Sequence, residues 1–390
     1  MPRFPAVSPA INGLSDRVFS ALLPRIKAHR GVLHPLHVGD TYLRPPEEAW
    51  AQSQKMNEFP SMHKYAPVQG VPVLLEAIGN HLQSRFDVQL TPDCIQVMAG
   101  ATGGMGVVLS ALVSPGDEVL LPTPYWPLIR GIIQSKGATP VQVPIYTRLK
   151  EPGFDLEEAL EAHTTPKTVA IYLNTPNNPS GASLEASDLD AVARVVERHN
   201  LWVVTDEVYE DLYLGEEPPL PAWTHPGLAE RAIVTHSLSK AYGLAGARIG
   251  YTHGPADVMK IIRGVQTFVT YCAARPMQLA AARALVGGES WLQHARASYR
   301  EAATRVSKRL GLPMPTGGTF FFFDASPWLQ GASDCIPLLE ECIDAGVILV
   351  PGLASGIDYP TWVRLCFTSV DLAALDDALE RLGSVLERRA

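Results

Sequence analysis

The chain has 390 residues, 46% of them hydrophobic and 18% charged, with a net charge of −8. That length suits two domains, or one large α/β unit with a smaller appendage, and the composition supports a sizeable core and argues against disorder. The acidic balance disfavours nucleic acid and anionic lipid as partners. The N-terminal MPRFPAVSPA carries no long apolar run, so no signal peptide is expected. No stretch reaches the roughly 18 uncharged apolar residues of a membrane span. Cys94, Cys272, Cys335, Cys342 and Cys366 are odd in number and scattered, with no C-x-x-C pair. They read as small buried thiols in a reducing cytoplasm rather than as a disulfide framework or zinc site.

Residues 14–28 have helical apolar spacing, with Ser15 or Asp16 as cap. A loop at 37–46 follows, then a helix over 71–86 with Pro72 in its first turn. Short apolar runs then alternate with helical stretches: 94–98, 118–121, 139–143, 168–173, 201–205, 232–236 and 248–252. Runs without polar alternation suit buried parallel strands, and the alternation with helices predicts an α/β fold with a mostly parallel seven-stranded sheet. After about residue 290 the pattern changes. A long helix ends near Leu310, a strand covers 319–324, a helix 335–345, strands 347–350 and 362–367, and a last helix 372–388. Residues 41–289 are therefore expected to form a large domain. Residues 1–40 and 290–390 are expected to form a smaller α+β one.

In open parallel sheets, ligands bind beyond the carboxyl ends of the strands. The strand at 168–173 runs into NTPNNPSG, from Asn174 through Asn178 to Gly181. The next runs into Asp206, Glu207, Val208 and Tyr209, and a third into Ser237, Leu238, Ser239 and Lys240. An amide, a carboxylate with a phenol, and an amine thus converge on one edge. The first strand runs into Gly100, Ala101, Thr102, Gly103 and Gly104 and a helix, whose free N–H groups and positive dipole end suit a phosphate. Its glycines fit neither the Walker loop nor the G-x-G-x-x-G turn. An anion site beside a reactive amine is what a phosphorylated aldehyde cofactor needs. Each piece alone has a plain structural reading: Lys240 as a solvated lysine, Asp206 as a cap or ion-pair partner, 174–181 as a turn. Their ordered occurrence at successive strand ends is what singles them out.

The chain resembles the fold-type I, class I/II aminotransferase family nearly end to end. S-x-S-K followed by G-x-x-x-x-R-x-G matches Ser237, Ser239, Lys240, Gly243, Arg248 and Gly250. N-x-P-x-N-P-[ST]-G matches 174–181, and D-E-x-Y matches 206–209. P-G-D-E matches 115–118, with Tyr125 and Trp126 after it, and Y-x-x-x-x-G matches 65–70. Residues 317–320, 346–352 and 363–365 fit the family's small domain. The resemblance implies pyridoxal 5′-phosphate (PLP) as cofactor, held as a Schiff base on Lys240, which then serves as general base. It implies that Asp206 pairs with the pyridinium nitrogen and that Asn178 and Tyr209 donate to the ring's phenolate oxygen. Arg248, Ser237 and the backbone at Ala101 and Thr102 would hold the phosphate, with Trp126 stacked on the ring. Arg364 would clamp the substrate carboxylate, with Gly39 approaching from the other side. Tyr65 would reach the phosphate of a neighbouring subunit, which implies a homodimer with shared sites.

The expected reaction is amino transfer between an amino acid and a 2-oxo acid. A PLP-dependent lyase, cyclase or decarboxylase on the same scaffold shares every motif. A PLP-binding regulator would need a DNA-binding module and a basic patch. His236 and His253 are expected to be structural, and 320–323 a buried strand. Within 263–272, Gln266 is placed where some relatives carry a partner-subunit arginine that reads a distal carboxylate, with Arg263 or Arg275 as substitutes. With Tyr42, Trp126, Phe268 and Tyr271 nearby, that placement predicts neutral amino donors.

Overall fold

The computed structural model describes residues 21–390. The start of the expected first helix, with Ser15 and Asp16, lies outside them; its described part is α1 (Leu23–Ala28). Helix α2 (Pro72–Phe86) begins on its proline, whose fixed φ and missing N–H suit a first helical position. The expected α/β alternation follows: β1 (Ile95–Met98), α3 (Gly100–Leu112), β2 (Glu118–Thr123), α4 (Pro127–Gln134), β3 (Thr139–Pro144), α5 (Leu156–Glu161), β4 (Thr168–Asn174), α6 (Ala186–His199), β5 (Trp202–Asp206), β6 (Ala232–Ser237) and β7 (Gly250–His253). These strands form one seven-stranded sheet in the order β1-β7-β6-β5-β4-β2-β3. Strands β2 to β6 pair in parallel, whereas β7 runs antiparallel to both β1 and β6.

Successive side chains of each strand enter different cores, as the two-residue repeat requires. On β4, Ile171 and Leu173 join one cluster, with Leu74 and Ile78 of α2 and Val192 and Val196 of α6. Ala170 and Tyr172 join the other, with Met105 and Val108 of α3, Ile129 of α4 and Met259 of α7 (Ala256–Val269). Coverage on both faces is why the strands read as unbroken apolar runs.

Helix α8 (Arg275–Gly287) leads into α9 (Glu289–Leu310). A three-stranded antiparallel sheet, β8-β10-β9, then forms from β8 (Phe320–Asp324), β9 (Val350–Pro351) and β10 (Trp362–Cys366), flanked by α10 (Ile336–Asp344) and α11 (Leu372–Arg389). A third core unites these elements with Leu22, Leu36, Tyr209 and Leu212. Arg25 of α1 donates to Asp344 and Glu340 of α10.

Two strand expectations need correction. The run 248–252 does not begin at Arg248. That residue takes a left-handed conformation (φ 52°), which ends the preceding turn and delays the strand to Gly250. The strand expected at 347–350 shrinks to Val350–Pro351, while Val347 makes an isolated bridge with His34. Among the described residues no helix is long and apolar enough to cross a membrane, and all five cysteines are free thiols.

Candidate active site

The strand ends deliver their polar groups to one cavity of about 130 Å³. Ala101, Thr102, Trp126, Asn178, Asp206, Tyr209, Ser237, Lys240 and Arg248 line it, together with Asn174, Val208, Ser239 and Ala245. Nine of the residues singled out from sequence therefore meet in one place. Gly39 and Arg364 adjoin it: the Lys240 ammonium donates to the Gly39 carbonyl, and Arg364 contacts Asn178. Tyr65 does not line this cavity. Its side chain is 81% exposed and meets Tyr271 edge-to-face at 5.3 Å.

The anion end of the cavity is built by backbone. Gly100 opens α3 at φ +74°, where an added Cβ would run into the Arg248 guanidinium. That close approach brings the first-turn N–H groups at Ala101 and Thr102 beside a fixed cation. Arg248 donates back to the Ala245 carbonyl at 2.9 Å. Ser237 closes β6, and its hydroxyl accepts from the Ser239 N–H at 3.1 Å.

Asp206, buried at the tip of β5, also lines the cavity. Burial is the dominant effect on its carboxyl and raises it to about 6, despite the opposing hydrogen bond from Tyr172. The Tyr172 hydroxyl donates to Oδ2 at 2.8 Å, while the Val208 N–H approaches Oδ1 at only 3.4 Å. Asn174 faces Asp206 in the β4–β5 register. Its Nδ2 donates to the Asp206 carbonyl at 2.8 Å, and its Oδ1 accepts from the Asn178 N–H at 2.7 Å. The segment 174–181 is thus more than a turn: its first asparagine ties two strand ends to the residue that contacts Arg364.

Lys240 has its amine pushed below the ordinary lysine range, chiefly by burial. Arg364 is buried too, and desolvation lowers its guanidinium. It donates to Asn178 Oδ1 and the His37 carbonyl, each at 3.0 Å, and sits 4.4 Å over the Phe320 ring. Among the described residues no carboxylate pairs with it. A buried cation held only by neutral groups costs several kcal/mol, which a bound anion would offset.

Sequence reasoning missed Tyr172, Asn174 as a structural tie, and Phe320. Asn174 opened the quoted motif, and Tyr172 lies two residues before it on the same strand face. Phe320 was read only as strand, yet its ring touches Arg364, lies edge-on to Tyr209 and backs Gly39. His236 and His253 stack and approach each other at 3.0 Å, with Glu210 against His236 Nδ1 at 2.7 Å. Burial pushes His236 down to about 3, so both rings stay neutral at ordinary pH. The placement of Gln266 is wrong. It lies buried on the inner face of α7 and cannot read a partner's substrate.

The family model for aminotransferase class I and II matches residues 34–382. The aspartate aminotransferase of Rhizobium meliloti (strain 1021) is 33% identical over 345 residues, covering 83% of this chain and 82% of that one. A probable N-succinyldiaminopimelate aminotransferase of Mycobacterium tuberculosis is 33% identical over 350 residues, covering 84% and 86%. The solved aspartate aminotransferase of Rhizobium meliloti superposes with a TM-score of 0.90 at 28% identity, over the whole of both chains. The fold is that of a fold-type I aminotransferase. The chain belongs to the class I and II aminotransferase family.

Proposed function

We propose that the protein is a PLP-dependent aminotransferase that uses Lys240 as its amine and Arg364 as its carboxylate clamp. One observation carries this reading: a partly buried lysine and a buried aspartate share a 130 Å³ cavity with a helix N-terminus and Arg248. The residues fit the cofactor at each of its polar ends. The α3 N-terminus, Arg248 and Ser237 suit its phosphate, Asp206 its ring nitrogen and Trp126 its flat face. Asn178 gives its carbonyl oxygen to Arg364, which leaves its NH₂ and the Tyr209 hydroxyl as donors for the ring oxygen. When bound, PLP supplies an aldehyde that links to amines and a ring that withdraws electrons.

The chain's own groups then divide the work. Arg364 binds the substrate carboxylate in its planar fork, recovering the cost of its burial. Asn178 holds that guanidinium in register with the cavity. Lys240 would take the Cα proton at Nζ; burial favours the neutral amine that this requires. Trp126 covers the cavity against water. Transfer is favoured over lyase, cyclase or decarboxylase chemistry by the aminotransferase names of the relatives.

The division into 41–289 and 1–40 with 290–390 is supported by the core that joins Leu22 and Leu36 to the second sheet. A homodimer is supported by the exposure of Tyr65, which leaves it free to serve a partner's phosphate site. Five free thiols suit a reducing, cytoplasmic setting. Borohydride reduction of the PLP-loaded protein, followed by peptide mass mapping, should place the label on Lys240. A label on another lysine would refute the assignment.

A further inference from the structure

Asp206 is served asymmetrically. Its Oδ2 accepts the Tyr172 hydroxyl at 2.8 Å, while among the described residues Oδ1 has only the long 3.4 Å approach of the Val208 N–H. Tyr172 and Asp206 are both buried. The phenol ring belongs to the core that holds Val119, Leu121, Val204 and Ile233, and among the described residues Asp206 is the one hydrogen-bond partner its hydroxyl is seen to reach. Burial and the neighbouring carboxylate push the phenol well above its usual range, so it remains a donor at any working pH. The reach is diagonal: Tyr172 is in register with Val204, and its hydroxyl extends along the sheet to the end of β5.

We propose that Tyr172 is a positioning residue for Asp206, which it holds by Oδ2 so that Oδ1 meets the cofactor's ring nitrogen and the shared proton stays on that nitrogen. A carboxylate that accepts a strong hydrogen bond is a weaker base. Without the phenol, Asp206 competes better for the ring proton, and the ring withdraws electrons less well. Tyr172 touches neither substrate nor reacting carbon and acts only through Asp206. This inference rests on the PLP reading of the site.

The test uses the full-length protein loaded with ¹⁵N-labelled PLP. In the wild type the ring ¹⁵N signal should lie at the protonated position. Tyr172→Phe removes one oxygen and nothing else. It should move the signal toward unprotonated pyridine and lower kcat about tenfold, the value of one hydrogen bond to a charged group, with KM little changed. In an Asp206→Asn background the same substitution should alter neither PLP affinity nor kcat further. An unshifted ¹⁵N signal in Tyr172→Phe, or an undiminished effect in the Asp206→Asn background, would overturn the positioning role. Failure of the wild type to bind PLP would instead overturn the reading of the site, and this inference with it. Should Tyr172→Phe fold poorly, the Asp206 carboxyl of wild-type protein without cofactor can be titrated by ¹³C NMR. A midpoint higher in Tyr172→Leu, which removes the donor without adding volume, than in the wild type supports the role; an equal one overturns it.

Discussion

Arg364 Nη1 lies 3.0 Å from the Oδ1 of Asn178, and this contact joins the proposed carboxylate clamp to the residue proposed to face the cofactor ring. Arg364→Leu should therefore lower kcat/KM roughly 100-fold, from losing a charge-assisted pair, and mostly through KM. Arg364→Lys should recover little, because an ammonium cannot reach Asn178, the His37 carbonyl and a substrate carboxylate together. Steady-state kinetics decides it. An unchanged KM in Arg364→Leu would remove the clamp.

Gly39 is packed so closely that an added Cβ would lie 2.7 Å from Phe320 Cζ. Gly39→Ala must push either the loop or the ring, and the ring backs both Arg364 and Tyr209. Overpacking of this kind costs about 1–3 kcal/mol. The variant should lose that much stability in urea unfolding and show a higher KM. Phe320→Leu, by making room, should restore part of the stability in the double variant.

The Asp206 carboxyl gives the protein without cofactor a pH dependence of known sign. Its folded value is raised from 3.8 to about 6, so the folded state holds this proton more tightly than the unfolded chain. The resulting stabilisation is full below pH 3.8 and is lost as pH rises through about 6. Asp206→Asn carries no such proton. Relative to that variant, wild-type protein should lose on the order of 3 kcal/mol between pH 4 and pH 7. Paired urea titrations measure this, and a constant difference would show the carboxyl to be ordinary.

Mixing Tyr65→Phe and Lys240→Ala proteins tests the shared site. If Tyr65 of one subunit serves the Lys240 site of the other, a hybrid dimer holds one site with both lesions and one with neither. Activity should rise on mixing above the average of the two parents. A strictly monomeric, fully active protein would exclude the arrangement.

The expectation of neutral donors lost its main support when Gln266 proved buried within its own chain.

The site was legible where polar residues interrupt apolar runs, because strand ends and ligand groups coincide in parallel sheets. Asp206, Asn178 and Lys240 stood out for that reason. The direction of β7 was not legible, since an apolar run has no polarity, and neither was the left-handed conformation of Arg248, which no hydrophobic pattern encodes. Tyr172 was hidden because an aromatic in a buried run counts as core until its hydroxyl finds a partner. Gln266 was readable and was misread. Met259, Ile262 and Gln266 follow the three- and four-residue spacing of one helix face, and that face is the buried one.

The reversed strand has a mechanical consequence. Ser237 and Gly250 stand opposite each other in the sheet, so residues 238–249 leave and return at one point. Within that closed excursion lie both Lys240 and Arg248. The two groups proposed to hold the cofactor therefore belong to one small cassette with a fixed base, not to separate parts of the chain. Its length sets the distance between amine and guanidinium. A single residue inserted near Gly246 would leave β6 and β7 paired and yet put the two grips out of step, so this stretch should tolerate substitutions better than insertions.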